Sequence, residues 1–356
     1  VAAANAMQAM QAKVPGMDLQ QSSGQAGAGV SITMRGNRSI SADNGPLILV
    51  DGVVYGSTLD IPAGDIESMD ILKDASSTAI YGSRGANGVI LITTKRGKAG
   101  KTRVDLNAYN SFNSATSDIR NKYGMDEVQL YVDRANYDEY ITNGSWGSNT
   151  YKEVFGNSAL ADGTLQTSII EDGSFTDWYD TFVQNSTTQN YELSIAGGSE
   201  KTNFNISLAA MYDNGLLKDD KMDRYNGRIN IDHKINKVVK VGASVAFTFK
   251  NHDSRFSLFN AARKMTTITH PYNTDGTVNI KPNPWYDSHV NPLQDEGDNY
   301  KKNVETTRFL GNAYLQVEPI KDLFLKTQFA IDRTNARTGT YQDFESVGRF
   351  QSPTNT

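Results

Sequence analysis

The chain has 356 residues, a net charge of −5, no cysteine and four histidines. That length is enough for about two domains. The mild acidity argues against nucleic acid as a partner, which needs a basic face, and the missing cysteines exclude disulfides, thiolate chemistry and zinc–thiolate sites.

In chain order, Val1-Ala2-Ala3-Ala4-Asn5 carries neither an initiator methionine nor a basic leader, so the sequence reads as an internal piece of a longer chain. Ala6, Met7, Met10 and Val14 recur at helical spacing and predict an amphipathic helix ending near Pro15-Gly16. Residues 20–29, rich in Gly, Ser and Gln, predict a loop. Residues 30–35 alternate as a strand does, and Leu47 to Val50 is a short apolar strand stopped by the turn pair Asp51-Gly52. The stretch 64–97 is the most structured. An apolar segment (Ile66, Met69, Ile71, Leu72) stops at Lys73-Asp74, and a short helix of small residues follows. Gly82, Gly85 and Gly88 then break the chain at equal spacing, and Val89 to Thr94 is a β-branched strand. A phosphate cradle should follow a strand and open a helix; here the glycines follow the helix and precede a strand.

The wording of this stretch resembles the plug domain of TonB-dependent outer-membrane transporters, in particular the SusC/RagA subfamily. The motifs that carry the likeness fall in the family's order: Met34-Arg35-Gly36, Pro46-Leu47-Ile48-Leu49-Val50-Asp51-Gly52-Val53, Asp65-Ile66-Glu67-Ser68, Leu72-Lys73-Asp74-Ala75, Ala79-Ile80-Tyr81-Gly82-Ser83-Arg84 and Ala86-Asn87-Gly88-Val89-Ile90. The resemblance implies a small α/β plug over residues 1–98, followed from 99 to 356 by the first strands and loops of a transmembrane barrel.

After 97–101, expected to be a flexible linker, long alternating segments begin. Val104, Leu106 and Ala108 alternate with polar residues, as do Tyr191, Leu193 and Ile195; Phe204, Ile206, Leu208, Ala210 and Tyr212; Tyr225, Ile229 and Ile231. Three more follow: Val239 to Phe249 at odd positions; Phe309, Ala313, Leu315 and Val317; and Leu323, Leu325, Phe329 and Ile331. Met211, Leu310 and Phe324 break the pattern. No run reaches the ~18 apolar residues of a spanning helix, but barrel strands of about ten residues expose only every second side chain to lipid. A soluble β-sandwich would alternate too. Connection lengths decide between them: turns near Gly198, Asn236 and Ile320 are short, those between are long, and short and long take turns along the chain. That parity is the asymmetry of an outer-membrane barrel. The expected fold is therefore a membrane β-barrel, antiparallel and partial, about seven strands of a larger barrel, with a small α/β plug domain. Seven strands neither make an even barrel nor enclose a folded domain. The motifs Leu193-Ser194-Ile195-Ala196-Gly197-Gly198, Arg224-Tyr225-Asn226, Lys240-Val241-Gly242-Ala243 and Glu318-Pro319-Ile320-Lys321 are similar to the early barrel of SusC-like proteins.

No residue set points to an enzyme, a metal or a cofactor. Asp65, Glu67, Asp70 and Asp74 straddle a strand and a turn, no Gly-x-Ser-x-Gly occurs, and Asp213, Asn214, Gly215, Asp219 and Asp220 lack calcium-loop spacing. The plug-motif residues singled out are Arg35, Gly36, Asp51, Gly52, Lys73, Asp74, Tyr81, Gly82, Arg84, Asn87 and Gly88. Of these, Lys73, Asp74, Arg84 and Asn87 either face the barrel wall and hold the closed state, or cap the short helix, with Asp74 as the N-cap. Trp146, Trp178, Trp285 and Tyr286 sit in long loops. Trp285 and Tyr286 are candidates for ligand or partner contact, while packing or a lipid-interface girdle suits Trp178. The resemblance implies active import of a nutrient oligomer, glycan or peptide, across the outer membrane, driven through the TonB complex and capped by a SusD-like surface lipoprotein. A siderophore receptor, a structural or secretion-associated barrel and a soluble carbohydrate-binding module are the rival readings.

Overall fold

The computed structural model describes residues 17–21, 23–34, 36, 44–56, 59–115, 123–156, 158–160, 163–284 and 289–350. The expected N-terminal helix, Arg35, Trp285 and Tyr286 lie outside the described residues.

The plug contains a hairpin, β1 (Met17–Gln21) with β2 (Val30–Met34), and a four-stranded sheet. The sheet is built from β3 (Leu47–Val50), β4 (Val53–Tyr55), β5 (Ile66–Leu72) and β6 (Val89–Thr94), in the order β4-β3-β6-β5. Only β3 and β6 are parallel. Gln20 and Gln21, expected in a loop, end β1, because they pair with Ser31 and Val30 of β2. The turn at Asp51-Gly52 closes a hairpin not expected from sequence. Both residues take positive φ, 50° and 83°, the geometry of a two-residue turn matched to strand twist. Between β5 and β6 run α1 (Ala75–Thr78) and a 3₁₀ stretch, Ala79–Gly85. At Gly88, φ is +92° and a Cβ would stand 2.2 Å from the Met34 methyl group, so only glycine fits. Ile32, Met34, Ile48, Val50, Tyr55, Ile90 and Ile92 form the plug core.

The wall is one antiparallel sheet of seven strands in strict chain order, β7 to β13. These are β7 (Gly100–Asn113), β8 (Ser186–Gly198), β9 (Thr202–Asn214), β10 (Lys221–Lys234), β11 (Val239–Asp253), β12 (Tyr300–Ile320) and β13 (Leu323–Gln342). β7 and β13 are the outer strands and do not pair with each other. The strands are longer than the expected ten residues, reaching 21 in β12, because the wall continues past its apolar band. The connections 199–201, 235–238 and 321–322 gather at one end; 114–185, 215–220 and 254–299 gather at the other. The expected parity is present, although the middle long connection shrinks to a tight turn.

The two longest connections fold on each other instead of remaining loops. They contain α2 (Met125–Asn143), α3 (Tyr151–Phe155), α4 (Gln166–Asp172), α5 (Trp178–Phe182) and α6 (Phe256–Ala262), and α7 (Val347–Phe350) follows β13. Val128, Phe155, Ile169 and Ile268 form one core, and Trp178, Phe182, Met265 and Leu293 another. Buried side chains lace segment 266–268 into the helices. Glu127 accepts from Thr267 N at 2.8 Å, Gln166 donates to Ile268 O at 2.9 Å, and the Trp178 indole donates to Thr266 O at 2.8 Å. Packing is thus the role of Trp178, while Trp146 is exposed beside Tyr137.

Candidate functional site

The two faces of the wall differ. On one face Leu106, Leu208, Ile229, Val245, Phe247, Phe309 and Ile331 are exposed in adjoining rows. A continuous apolar face of this extent is not one that water tolerates. On β11 it runs from Val239 to Phe249, roughly 34 Å along the strand and, at a tilt near 45°, roughly 25 Å in height. That is the height of a barrel's lipid-facing band. An aromatic row borders it: Tyr191, Tyr212, Tyr225 and Phe249 follow one another on four neighbouring strands with centroids 6.5, 6.0 and 6.4 Å apart. Beyond it, Gln189, Asp223, Asn251, Glu305 and Arg337 make the next row polar. This is the pattern of an interfacial girdle.

The opposite face holds the plug, and β10 shows how. Its alternate residues reach the plug one after another. Asn226 donates to Asp60 O at 2.8 Å, Arg228 meets Asp65 at 3.4 Å, Asn230 donates to Lys95 O at 2.8 Å, and Asp232 accepts from Arg96 at 3.5 Å. Arg96 also meets Asp51 at 3.4 Å, so it bridges plug and wall. Asp51 is itself held by Thr94, through N at 2.9 Å and Oγ1 at 2.6 Å, and its carbonyl accepts from Gln328 of β13 at 3.1 Å. Farther out, segment 24–27 is clamped to the β9–β10 turn. Ala26 N donates to Asp220, Gly27 N donates to Asp213 at 2.6 Å, and Leu216 N donates to Gly24 O at 2.9 Å. His252 faces Asp220 at 3.0 Å.

Apolar contact across the seam is sparse. Leu310 and Ala246 join the plug core, and Met211 and Met222 pack on Ala26. The pattern-breaking Leu310 and Met211 are therefore inward residues that meet the plug. Tyr55 packs under Arg308, and burial pushes its phenol up to about 12, opposed by that guanidinium. A seam made mostly of polar pairs resembles a transient interface more than a core.

The strap from plug to wall is tight, not flexible. A Cβ on Gly97 would stand 2.2 Å from Phe204 O and 2.4 Å from Phe204 N, and β7 already begins at Gly100.

The singled-out motif residues lie elsewhere on the plug, apart from Asp51 and Gly52. Asp74 occupies the N-cap of α1 with extended backbone but makes no side-chain cap bond; its carbonyl accepts from Ser77 Oγ at 2.8 Å. Tyr81 and Lys73 are half-buried, Gly36 and Gly82 are exposed, and Arg84 and Asn87 line a cleft of about 580 Å³ with Val30, Pro46 and Tyr55. The plug–wall bonds of β10 and β13 described above run instead from Asp51, Asp60, Asp65, Lys95 and Arg96. Of their wall partners, Arg228, Asn230, Asp232 and Gln328 were not singled out from sequence. The only signal for them is that they are the polar half of the alternation.

Residues 1–89 match the family model of the TonB-dependent receptor plug domain. TonB-dependent receptor P26 of Formosa agariphila is 30% identical over 351 residues, covering 95% of this chain and 32% of that protein. TonB-dependent receptor SusC of Bacteroides thetaiotaomicron is 32% identical over 238 residues, covering 64% of this chain and 21% of that one. The chain thus spans about a third or less of the curated relatives it matches. Among solved structures, the RagAB peptide importer in its closed-closed state superposes with a TM-score of 0.74 at 26% identity, covering 96% of this chain and 40% of that one.

Proposed function

The chain belongs to the SusC/RagA type of TonB-dependent receptors, and from that premise we propose that its plug (1–98) and wall (99–356) serve active import of a nutrient oligomer across the outer membrane. The observation that carries this reading is the seam itself: a folded plug held by polar pairs to the inner face of a wall whose outer face is apolar and girdled. The plug blocks the path while Arg228–Asp65, Asp232–Arg96 and the clamp on segment 24–27 hold. Force transmitted by the TonB complex from the inner membrane displaces it, and ligand outside biases the same two states. The cargo is a glycan or a peptide; the solved relative is named a peptide importer. A SusD-like surface lipoprotein covers the end that bears the long connections.

The test is uptake of labelled oligosaccharides and oligopeptides by cells that carry the gene, lack it, or carry a form without residues 75–88. Wild-type cells should accumulate one oligomer class only while TonB is energised. The deletion should leave a leak that no longer concentrates it. Energised uptake surviving the deletion unchanged would refute the plug's role.

A further inference from the structure

One position on the inner face of β10 departs from its neighbours. Met222 packs on Ala26, and Asn226, Arg228, Asn230 and Asp232 each bond to the plug. Among the described residues, Arg224, in the same series, has no hydrogen bond to the plug. It is 7% exposed, and its Nε is buried with no hydrogen-bond partner. Directly across the ladder stands Lys250 of β11, half-buried on the same face. Among the described residues, no ion pair joins either cation to a carboxylate. Asp213 lies within electrostatic reach of Arg224, and its oxygens accept from Gly27 N and Thr188 Oγ1. Like charges directly opposite destabilise an antiparallel pair, and a buried guanidinium N–H without an acceptor is unfavourable. An anion between them removes both penalties.

We propose that Arg224 and Lys250 form an oxyanion subsite in the wall, in the seam between plug segment 24–27 and Asp60. The guanidinium offers a planar fork of donors that matches a carboxylate, sulfate or phosphate, and the ammonium adds a point charge. The oxyanion is either a free inorganic ion or a charged group on the imported oligomer. The second source rests on the import reading; the binding itself does not.

The experiment uses the intact protein in detergent, without TonB or living cells, so a failure of the import reading leaves it standing. Isothermal titration is run at fixed ionic strength with inorganic sulfate and, separately, with tetragalacturonate. Wild-type protein should bind one or both more tightly than chloride. Arg224→Gln and Lys250→Gln should each weaken binding about tenfold or more, and Arg224→Lys should recover part of it. Tetragalacturonate binding more tightly than sulfate assigns the site to an oligomer-borne group; sulfate binding as tightly assigns it to a free ion. Should Arg224→Gln fail to fold, Lys250→Gln, at a half-buried position, carries the test. No binding of either probe beyond that of chloride, an adventitious ion only, overturns the proposal. Equal binding by wild type and Lys250→Gln also overturns it.

Discussion

The guanidinium carbon of Arg308 lies 3.4 Å from the centroid of the Tyr55 ring, and its Nε donates to Asp332 at 2.9 Å. One wall cation thus faces the plug with its plane and holds a neighbouring strand with its edge. A desolvated cation–aromatic contact contributes roughly 2 kcal/mol. In a double-mutant cycle with Tyr55→Leu and Arg308→Met, read by chemical unfolding of the plug, the two sites should couple by about 1–2 kcal/mol. Additive effects would show that the contact contributes nothing to seating.

The same tyrosine sets an alkaline limit. Its folded pKa is raised by burial from the usual value of 10.0 to about 12, so folding disfavours the phenolate. The stabilisation is fully present below pH ~10 and is lost as pH rises through ~12. Plug seating, followed by protease accessibility, should hold constant through neutral pH and weaken between these two values. Tyr55→Phe should remove that transition, and an identical alkaline profile in the variant would assign it to another group.

Gly97 tolerates no side chain. Alanine there must displace the Phe204 backbone, at a cost of about 1–3 kcal/mol. Gly97→Ala should lower the folded fraction, seen as heat-modifiable migration on a gel. Gly339→Ala, with open space around it, should not. Equal behaviour of the two would argue against the tight strap.

The apolar band predicts depth-dependent costs. Val245→Arg, near mid-band, should destabilise the barrel by roughly 2–4 kcal/mol, and Asn110→Arg, in the polar row beyond the aromatic border, by about 0–1 kcal/mol. Unfolding from phospholipid bilayers measures both. Similar penalties would misplace the girdle at Tyr191, Tyr212, Tyr225 and Phe249.

The wall was legible in the sequence because lipid on one side and water with plug on the other force a period of two, and a slip of one residue would invert every side chain. Val239 to Phe249 could therefore be assigned to one face without coordinates. Asp51-Gly52 and Gly88 were legible for a different reason: their backbone angles restrict which residues can occupy them. Partnership was not legible. Alternation says that Arg228 points inward but not that it meets Asp65, 163 residues earlier. Nor does it say that Leu310 and Met211, which look like errors in the pattern, are where the plug needs apolar contact. The helices of the long connections were hidden similarly, since their burial depends on segment 266–268 arriving from the other connection. Local periodicity reports which environment a side chain faces. Only the closing of distant segments decides which group fills that environment, as it decides that Arg96 bridges Asp51 and Asp232 while the Nε of Arg224 is left without an acceptor.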